Sequence, residues 1–250
     1  MKNFTLALLL IASAARAEVR EIKTMADIAP AIDATTLLVF DIDNTLVEPV
    51  GNIGSDQWFY YLEKAYKRDG LDEAAAQAKA AEIWTKTQVT VQVKPVETIT
   101  PTLIREQQKR GIKVMALTAR GAEDAAATFR QLRDIGVDLT ASAVRKGDLA
   151  TELKGFYSRG VFFVGEGPNK GVTLVSFLKK INLHPKRVVF VDDKPHHVKN
   201  VEAALRESGV PCIAFRYGAA DAKVKAFNEV VSEAADKSNA DLLFHGRLPQ

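Results

Sequence analysis

The sequence predicts an α/β chain built on a doubly wound, mainly parallel sheet, with a small helical cap insertion. Three observations carry this expectation. Residues 37–40, 113–117 and 187–191 are short apolar runs of the kind that fills strands buried on both faces of a sheet. Each run leads into a segment with helical periodicity, and such alternation implies parallel strands joined by right-handed crossovers. Each run also ends abruptly in polar residues: Asp41-Ile42-Asp43-Asn44-Thr45, then Thr118-Ala119-Arg120, then Asp192-Asp193-Lys194. The carboxyl ends of parallel strands are where open α/β sheets bind their ligands.

The elements follow in order. Lys2, the apolar residues 4–12 and the small-x-small triplet Ala15-Arg16-Ala17 read as a secretory signal peptide cleaved after Ala17. The apolar stretch is too short to span a bilayer comfortably. The expected mature protein therefore starts at Glu18, is periplasmic or secreted, and is not inserted in a membrane. Residues 25–32 predict a short helix before the first strand. Residues 51–94 then interrupt the alternation with two helical segments. In the first, Trp58, Leu62 and Ala65 share a face with Phe59 and Tyr66 beside it; Asp69-Gly70 breaks it, and residues 72–84 form an alanine-rich second. Lys94-Pro95 returns the chain to the main domain. The expected organisation is a signal peptide at 1–17, a core from 18–50 and 95–250, and an insertion at 51–94.

Residues 98–110 and 122–135 predict helices flanking the second strand, and residues 161–164 predict a further strand. Residues 170–181 predict a helix with Val172, Val175 and Leu178 inward. Residues 196–208 predict another, with Val198, Val201 and Leu205 inward. Residues 210–215 read as a strand, and residues 219–236 as a terminal helix with Val224, Phe227 and Val231 on one side. The run Leu242-Leu243-Phe244 leaves an added edge strand open.

Composition narrows the function. A chain of 250 residues is long enough for one substantial α/β domain plus an insertion. The net charge of +3 is spread along the sequence without a basic block, so no nucleic-acid partner is expected. The one cysteine, Cys212, rules out an intramolecular disulfide.

Neighbouring parallel strands would set Asp41, Asp43, Thr118, Asp192 and Asp193 along one rim. Carboxylates beside an apolar core are costly unless a cation compensates them. Hard oxygen donors of this kind suit Mg²⁺, which often works with substrate phosphates. Two adjacent histidines, His196 and His197, suggest a transition metal at first sight, but oxygen ligands dominate the rim.

On these residues the chain resembles the haloacid dehalogenase-like (HAD) hydrolase superfamily over roughly residues 35–215. Asp41-Ile42-Asp43-Asn44-Thr45 resembles its first motif, Thr118 the second, Lys170 the third and Asp192-Asp193 the fourth, in order. Lys146 competes for the third motif, but Lys170 opens the helix before the strand ending at Asp192. The pattern is similar to an exported, phosphatase-like branch. The resemblance implies a Rossmann-like core and a Mg²⁺-dependent phosphomonoester hydrolase acting through an aspartyl-phosphate. It implies Asp41 as nucleophile and Asp43 as acid and then base. Thr118 and Lys170 would bind the phosphoryl group. Asp41, the backbone carbonyl of Asp43 and Asp192 would hold the metal directly, with Asp193 a ligand through water or an acceptor just outside the ligand set; whether Asp193 binds the metal directly is left open. The expected partner is a small phosphorylated substrate or a phosphoprotein. A phosphotransferase to an alcohol and a catalytically silent binding or scaffold protein are the alternatives. Arg120 fits either a substrate clamp or a salt bridge. The aromatic residues Trp58, Phe59, Tyr60, Tyr61 and Trp84 fit packing better than ligand stacking.

Overall fold

Eight strands in one sheet organise the chain, seen in a computed structural model that describes residues 18–153, 155–165 and 169–227. The expected signal peptide, Val231 and the 242–244 run lie outside the described residues. In chain order the first elements are β1 (Glu18–Ile22), a 3₁₀ turn (Met25–Ala31), β2 (Thr36–Phe40), β3 (Val47–Pro49), α1 (Asp56–Arg68), α2 (Glu73–Gln88) and β4 (Val93–Pro95). Then come α3 (Thr100–Lys109), β5 (Lys113–Thr118), α4 (Ala125–Asp134), β6 (Leu149–Ala150), β7 (Phe156–Ser158) and β8 (Val161–Phe163). The chain continues through α5 (Lys170–Lys180), β9 (Arg187–Asp192), α6 (Pro195–Glu207) and β10 (Cys212–Tyr217).

The sheet order is β1-β10-β9-β2-β5-β8-β7-β6, parallel from β1 through β8 and antiparallel at β8-β7-β6. The expected doubly wound α/β architecture is therefore present. β2 lies between β9 and β5 and is buried along its whole length. Leu38 and Phe40 join a core on one face with Val114, Ala116, Val189 and Val191. Leu37 and Val39 join a second core on the other face with Met115, Leu117, Val188 and Phe190. This two-sided burial is why the run has no polar alternation, and each such side chain contributes roughly 1.5–3 kcal/mol when fully buried.

One helical face differs from expectation. In α5 the buried residues are Lys170, Gly171, Thr173, Leu174, Phe177 and Leu178, while Val172 is 53% exposed and Val175 partly buried. Gly171 causes the difference. It lies against α6 so closely that an added Cβ would stand 2.2 Å from the Asn200 carbonyl oxygen. That approach turns the Gly171–Leu174–Leu178 stripe inward and Val172 outward.

Between β3 and β4, which pair antiparallel, α1 and α2 form a hairpin. Ser55 caps α1 by accepting from the Trp58 N–H at 3.1 Å, and Asp72 caps α2 by accepting from the Ala75 N–H at 2.8 Å. Ala76 and Ala80 are fully buried and let the helices approach closely. Trp58, Phe59, Leu62, Ala80 and Trp84 form the hairpin's own core, joined by Phe227. Among the aromatics, Trp58, Phe59 and Trp84 are buried as packing residues, whereas Tyr60 is exposed.

Candidate active site

The first acids are placed by strand pairing that runs past β2. The Asp41 N–H donates to the Val191 carbonyl at 2.8 Å, holding Asp41 beside the end of β9. The next residues close a tight loop, with the Leu46 and Val47 N–H groups donating to the Ile42 carbonyl at 2.8 and 2.9 Å. Asn44 takes a left-handed conformation there (φ 57°), which asparagine tolerates better than most residues. Asp192 ends β9, and Asp193 follows it. Lys170 opens α5, whose N-cap Asn169 accepts from the Gly171 and Val172 N–H groups.

These elements bring Asp41, Asp192 and Asp193 together, one carboxylate oxygen from each lying within 4.8 Å of the others. Asp41 and Asp192 are buried. The Lys170 ammonium, 2% exposed, donates to Asp41 Oδ1 at 2.6 Å and to Asp192 Oδ2 at 2.8 Å. Lys146 lies instead on an exposed stretch. Thr118 ends β5, beside β2, and is buried; its hydroxyl accepts from the Arg120 N–H at 3.2 Å.

Lys170 bonds two of these three carboxylates, Asp41 and Asp192, while the charge acting on Asp193 is that of Lys194, and the imbalance shows in their proton affinities. Burial, opposed by Lys170 and reinforced by Asp192 and Asp43, pushes the Asp41 carboxyl up to about 7. Burial and the neighbouring Asp192 and Asp41 push Asp193 well above the usual range. Burial also opposes ionisation of Asp192, but Lys170 and His197 hold it below the ordinary carboxylate value. Asp193 Oδ1 is buried without a hydrogen-bond donor. A concentrated, under-compensated set of hard oxygen donors can hold a metal ion, and these residues fit a divalent cation. His197 Nδ1 stands 3.3 Å from Asp192 Oδ2, and burial pushes this imidazole down to about 4, so it is neutral at pH 7.

The Asp43 carboxylate stands apart from that cluster. Arg120 grips it with two parallel bonds, Nε to Oδ2 at 2.8 Å and Nη2 to Oδ1 at 2.7 Å. The Arg120 side chain is only 2% exposed, so this salt bridge is buried rather than on the surface. Sequence reasoning left this residue open, because the sequence does not reveal burial. It missed Lys194 entirely, although Lys194 directly follows the paired acids. The Lys194 ammonium donates to Asp56 Oδ1 at 3.0 Å and to the Tyr60 hydroxyl at 2.8 Å, linking the rim to α1. Beside it lies a cavity of about 480 Å³ whose walls include Asn44, Asp193, Gln57, Tyr60 and Phe227.

A family model described as "Protein of unknown function (DUF2608)" matches residues 21–242. The chain belongs to the DUF2608 family. Its relatives include a protein of Chlamydia trachomatis named "Putative outer membrane protein", 27% identical over 221 residues, covering 86% of this chain and 84% of that protein. A Chlamydia muridarum protein of the same name is 25% identical and covers 79% and 76%. Among solved structures, this DUF2608 chain is similar to a haloacid dehalogenase-like hydrolase from Streptococcus pneumoniae, with 15% identity, a TM-score of 0.44 and coverage of 73% and 85%. It is also similar to a class C acid phosphatase from Bacillus anthracis, with 15% identity, a TM-score of 0.39 and coverage of 90% and 85%. Among the described residues of the DUF2608 chain, no helix is long and apolar enough to cross a membrane.

Proposed function

We propose that this protein is a Mg²⁺-dependent phosphomonoester hydrolase that works through an aspartyl-phosphate on Asp41. One observation carries the reading: the Asp41–Asp192–Asp193 cluster with Lys170 bonded to Asp41, at the carboxyl rim of parallel strands and two residues from a second acid. Pure ion binding needs the cluster but not Asp43.

A phosphate ester resists attack because its oxygens repel an approaching anion. Asp41, Asp192, Asp193 and the Asp43 backbone carbonyl would hold Mg²⁺, which supplies charge neutralisation at the phosphoryl oxygens. Lys170 engages Asp41 Oδ1, and a carboxylate oxygen of Asp41 attacks phosphorus. The oxygen–phosphorus bond to Asp41 forms as the ester bond breaks. Asp43, which Arg120 pairs as a carboxylate, must first be loosened from that grip and take up a proton before it can give one to the departing oxygen. Asp43 then takes a proton from water as that water attacks phosphorus, releasing phosphate and restoring Asp41. Thr118 donates its hydroxyl to a phosphoryl oxygen, and Lys170 balances the charge there.

The α1–α2 hairpin serves as a cap, and the cavity beside Lys194 receives the leaving group of a small phosphorylated substrate. We also infer export, with cleavage after Ala17. The Lys2, apolar and Ala15-Arg16-Ala17 pattern supports this, as do the chlamydial relatives' names. Amino-terminal sequencing of exported material should read from Glu18; an intact Met1 in a membrane fraction would refute cleavage.

The test of activity is phosphate release from a phosphomonoester panel, with Mg²⁺ or with a chelator. Metal-dependent turnover of at least one compound is expected. No turnover across the panel, with metal binding shown by calorimetry, would overturn the reading in favour of a binding module.

A further inference from the structure

The carboxyl-terminal segment reaches the candidate site, and the reaction described above gives its side chains no part. Residues 221–227 are helical, and Val224 and Phe227, expected on one side of that helix, both line the cavity beside Lys194. Two anchors hold the segment there. The Arg216 guanidinium on β10 donates to both Asp221 oxygens, at 2.6 and 2.5 Å, and its Nε donates to the Asp193 carbonyl at 2.9 Å. The Lys223 ammonium donates to the Pro49 carbonyl and stands 3.5 Å from Glu48 Oε2, both on β3. Phe227 is buried in the hairpin core with Trp58 and Leu62. Its ring meets Tyr61 edge to face, with centroids 6.4 Å apart and planes at 79°.

The polar groups of the cavity wall are engaged with one another. Gln57 Nε2 donates to Asn44 Oδ1 at 3.4 Å, and Asn44 Nδ2 donates to Asp193 Oδ2 at 3.3 Å. The Lys194 ammonium is held by Asp56 and the Tyr60 hydroxyl, and Lys64 is solvent-exposed. The rest of the wall is Val224, Phe227 and the rings of Tyr60 and Tyr61. A hydroxyl-rich leaving group would have to compete for groups already paired. A planar apolar ring gains both burial and edge-to-face contact.

We propose that this cavity selects phosphomonoesters whose leaving alcohol carries an aromatic ring, and that Val224 and Phe227 of the carboxyl-terminal segment are its specificity-determining residues. The inference rests on the phosphatase reading, which makes the cavity the leaving-group site. Asp193 belongs both to the carboxylate cluster and to the cavity wall, so a phosphoryl group bound at the cluster has the cavity next to it. A volume of about 480 Å³ is of the size that takes a small organic ligand. The substrate ring lies among Tyr60, Tyr61 and Phe227, where aromatic pairs favour edge-to-face or offset contact. One guanidinium, that of Arg216, ties the Asp193 backbone to Asp221, so the aromatic wall and the cluster keep a fixed spacing.

The experiment measures the binding of three phosphonates to the full mature protein with Mg²⁺. Phosphonates carry carbon where the ester has its bridging oxygen, so they bind without being hydrolysed. Benzylphosphonate should bind at least about tenfold more tightly than methylphosphonate, since even one methylene in an apolar pocket is worth about that. Cyclohexylmethylphosphonate, of similar size but without a π face, should bind roughly 2–10-fold more weakly than benzylphosphonate. Phe227→Leu keeps the apolar bulk and should bring that second ratio toward one. Val224→Phe fills the cavity and should cut the benzyl-to-methyl ratio at least about fivefold. Melting curves establish that each variant is folded. Val224 is only partly buried, so Val224→Phe and the wild-type ratios decide the matter if Phe227→Leu does not fold. Equal wild-type affinities for benzyl- and methylphosphonate, tighter binding of the cyclohexylmethyl compound, or an unchanged ratio in Val224→Phe would overturn this inference and leave the phosphatase reading standing. The expected ratios without any hydrolysis of benzyl phosphate would overturn the phosphatase reading and leave the aromatic site.

Discussion

Replacing Asp193 by asparagine should make the metal-free protein more stable and the Mg²⁺-loaded protein less so. In the structure one oxygen of its carboxylate lies within 4.8 Å of one from Asp41 and one from Asp192; Lys170 bonds those two, and the Lys194 charge acts on Asp193. At an effective dielectric of about 20, two unit charges that far apart repel by roughly 3 kcal/mol. The folded chain bears this cost as repulsion, or avoids it by taking up a proton against a raised affinity. Asparagine bears neither and still accepts a bond from Asn44, which now reaches Asp193 Oδ2 at 3.3 Å. Lys170 and Lys194 already offset part of the repulsion, so the net gain should be about 1–3 kcal/mol, or roughly 2–10 °C in Tm for a chain of this size. With Mg²⁺ at 100 times its Kd the wild type should gain about 2.7 kcal/mol, while the variant, short of one charged ligand, gains far less. The assay is urea unfolding at pH 8 in EDTA and again in Mg²⁺, for both proteins. The order of stability should invert between the two conditions. Destabilisation of Asp193→Asn in EDTA, or equal stabilisation of both proteins by Mg²⁺, would refute the charge reasoning.

Three further outcomes follow from named contacts. Asp41→Asn should abolish phosphoryl-enzyme formation, whereas Asp43→Asn should still be labelled by an activated aryl phosphate and then stall, losing about 10²–10⁴-fold in turnover; rapid-quench labelling separates the two. Cys212 is buried and its thiol is pushed up to about 12, so a neutral disulfide reagent should label it only after unfolding. Because the unfolded thiol ionises first, stability should fall as pH rises from about 9 toward 12, and a Cys212→Ser variant should lack that part of the slope. Gly171→Ala would press a methyl group against the Asn200 carbonyl and should cost about 1–3 kcal/mol, read from denaturant midpoints.

Legibility in the sequence followed burial. β2, β5 and β9 are covered on both faces, so their runs are apolar throughout and their polar ends stand out. β3, β4, β6 and β7 hold two or three residues each, too few for any periodicity to emerge. β1 alternates Val19 and Arg20 at the sheet edge, beside residues expected to be processed. Val172 was expected inward because a hydrophobic stripe counts apolar side chains, and it cannot see a glycine chosen for having none.

The site divides along the same line. Asp41, Thr118, Lys170, Asp192 and Asp193 are placed by strand ends and one helix start, and the chain order of these features is visible in the sequence. Arg120 and Lys194 are placed by partners far away in sequence: Asp43 is 77 residues from Arg120, and Asp56 is 138 from Lys194. A lone arginine or lysine in a sequence reads as solvated, because most are. What distinguishes these two is that each is bonded to a carboxylate, Arg120 fully buried and Lys194 partly exposed, and each joins the strand-end rim to the hairpin or its supports. Arg120 pairs with Asp43 on the rim and Lys194 with Asp56 on α1, so a change that frees either one should disturb local charge and hairpin position together.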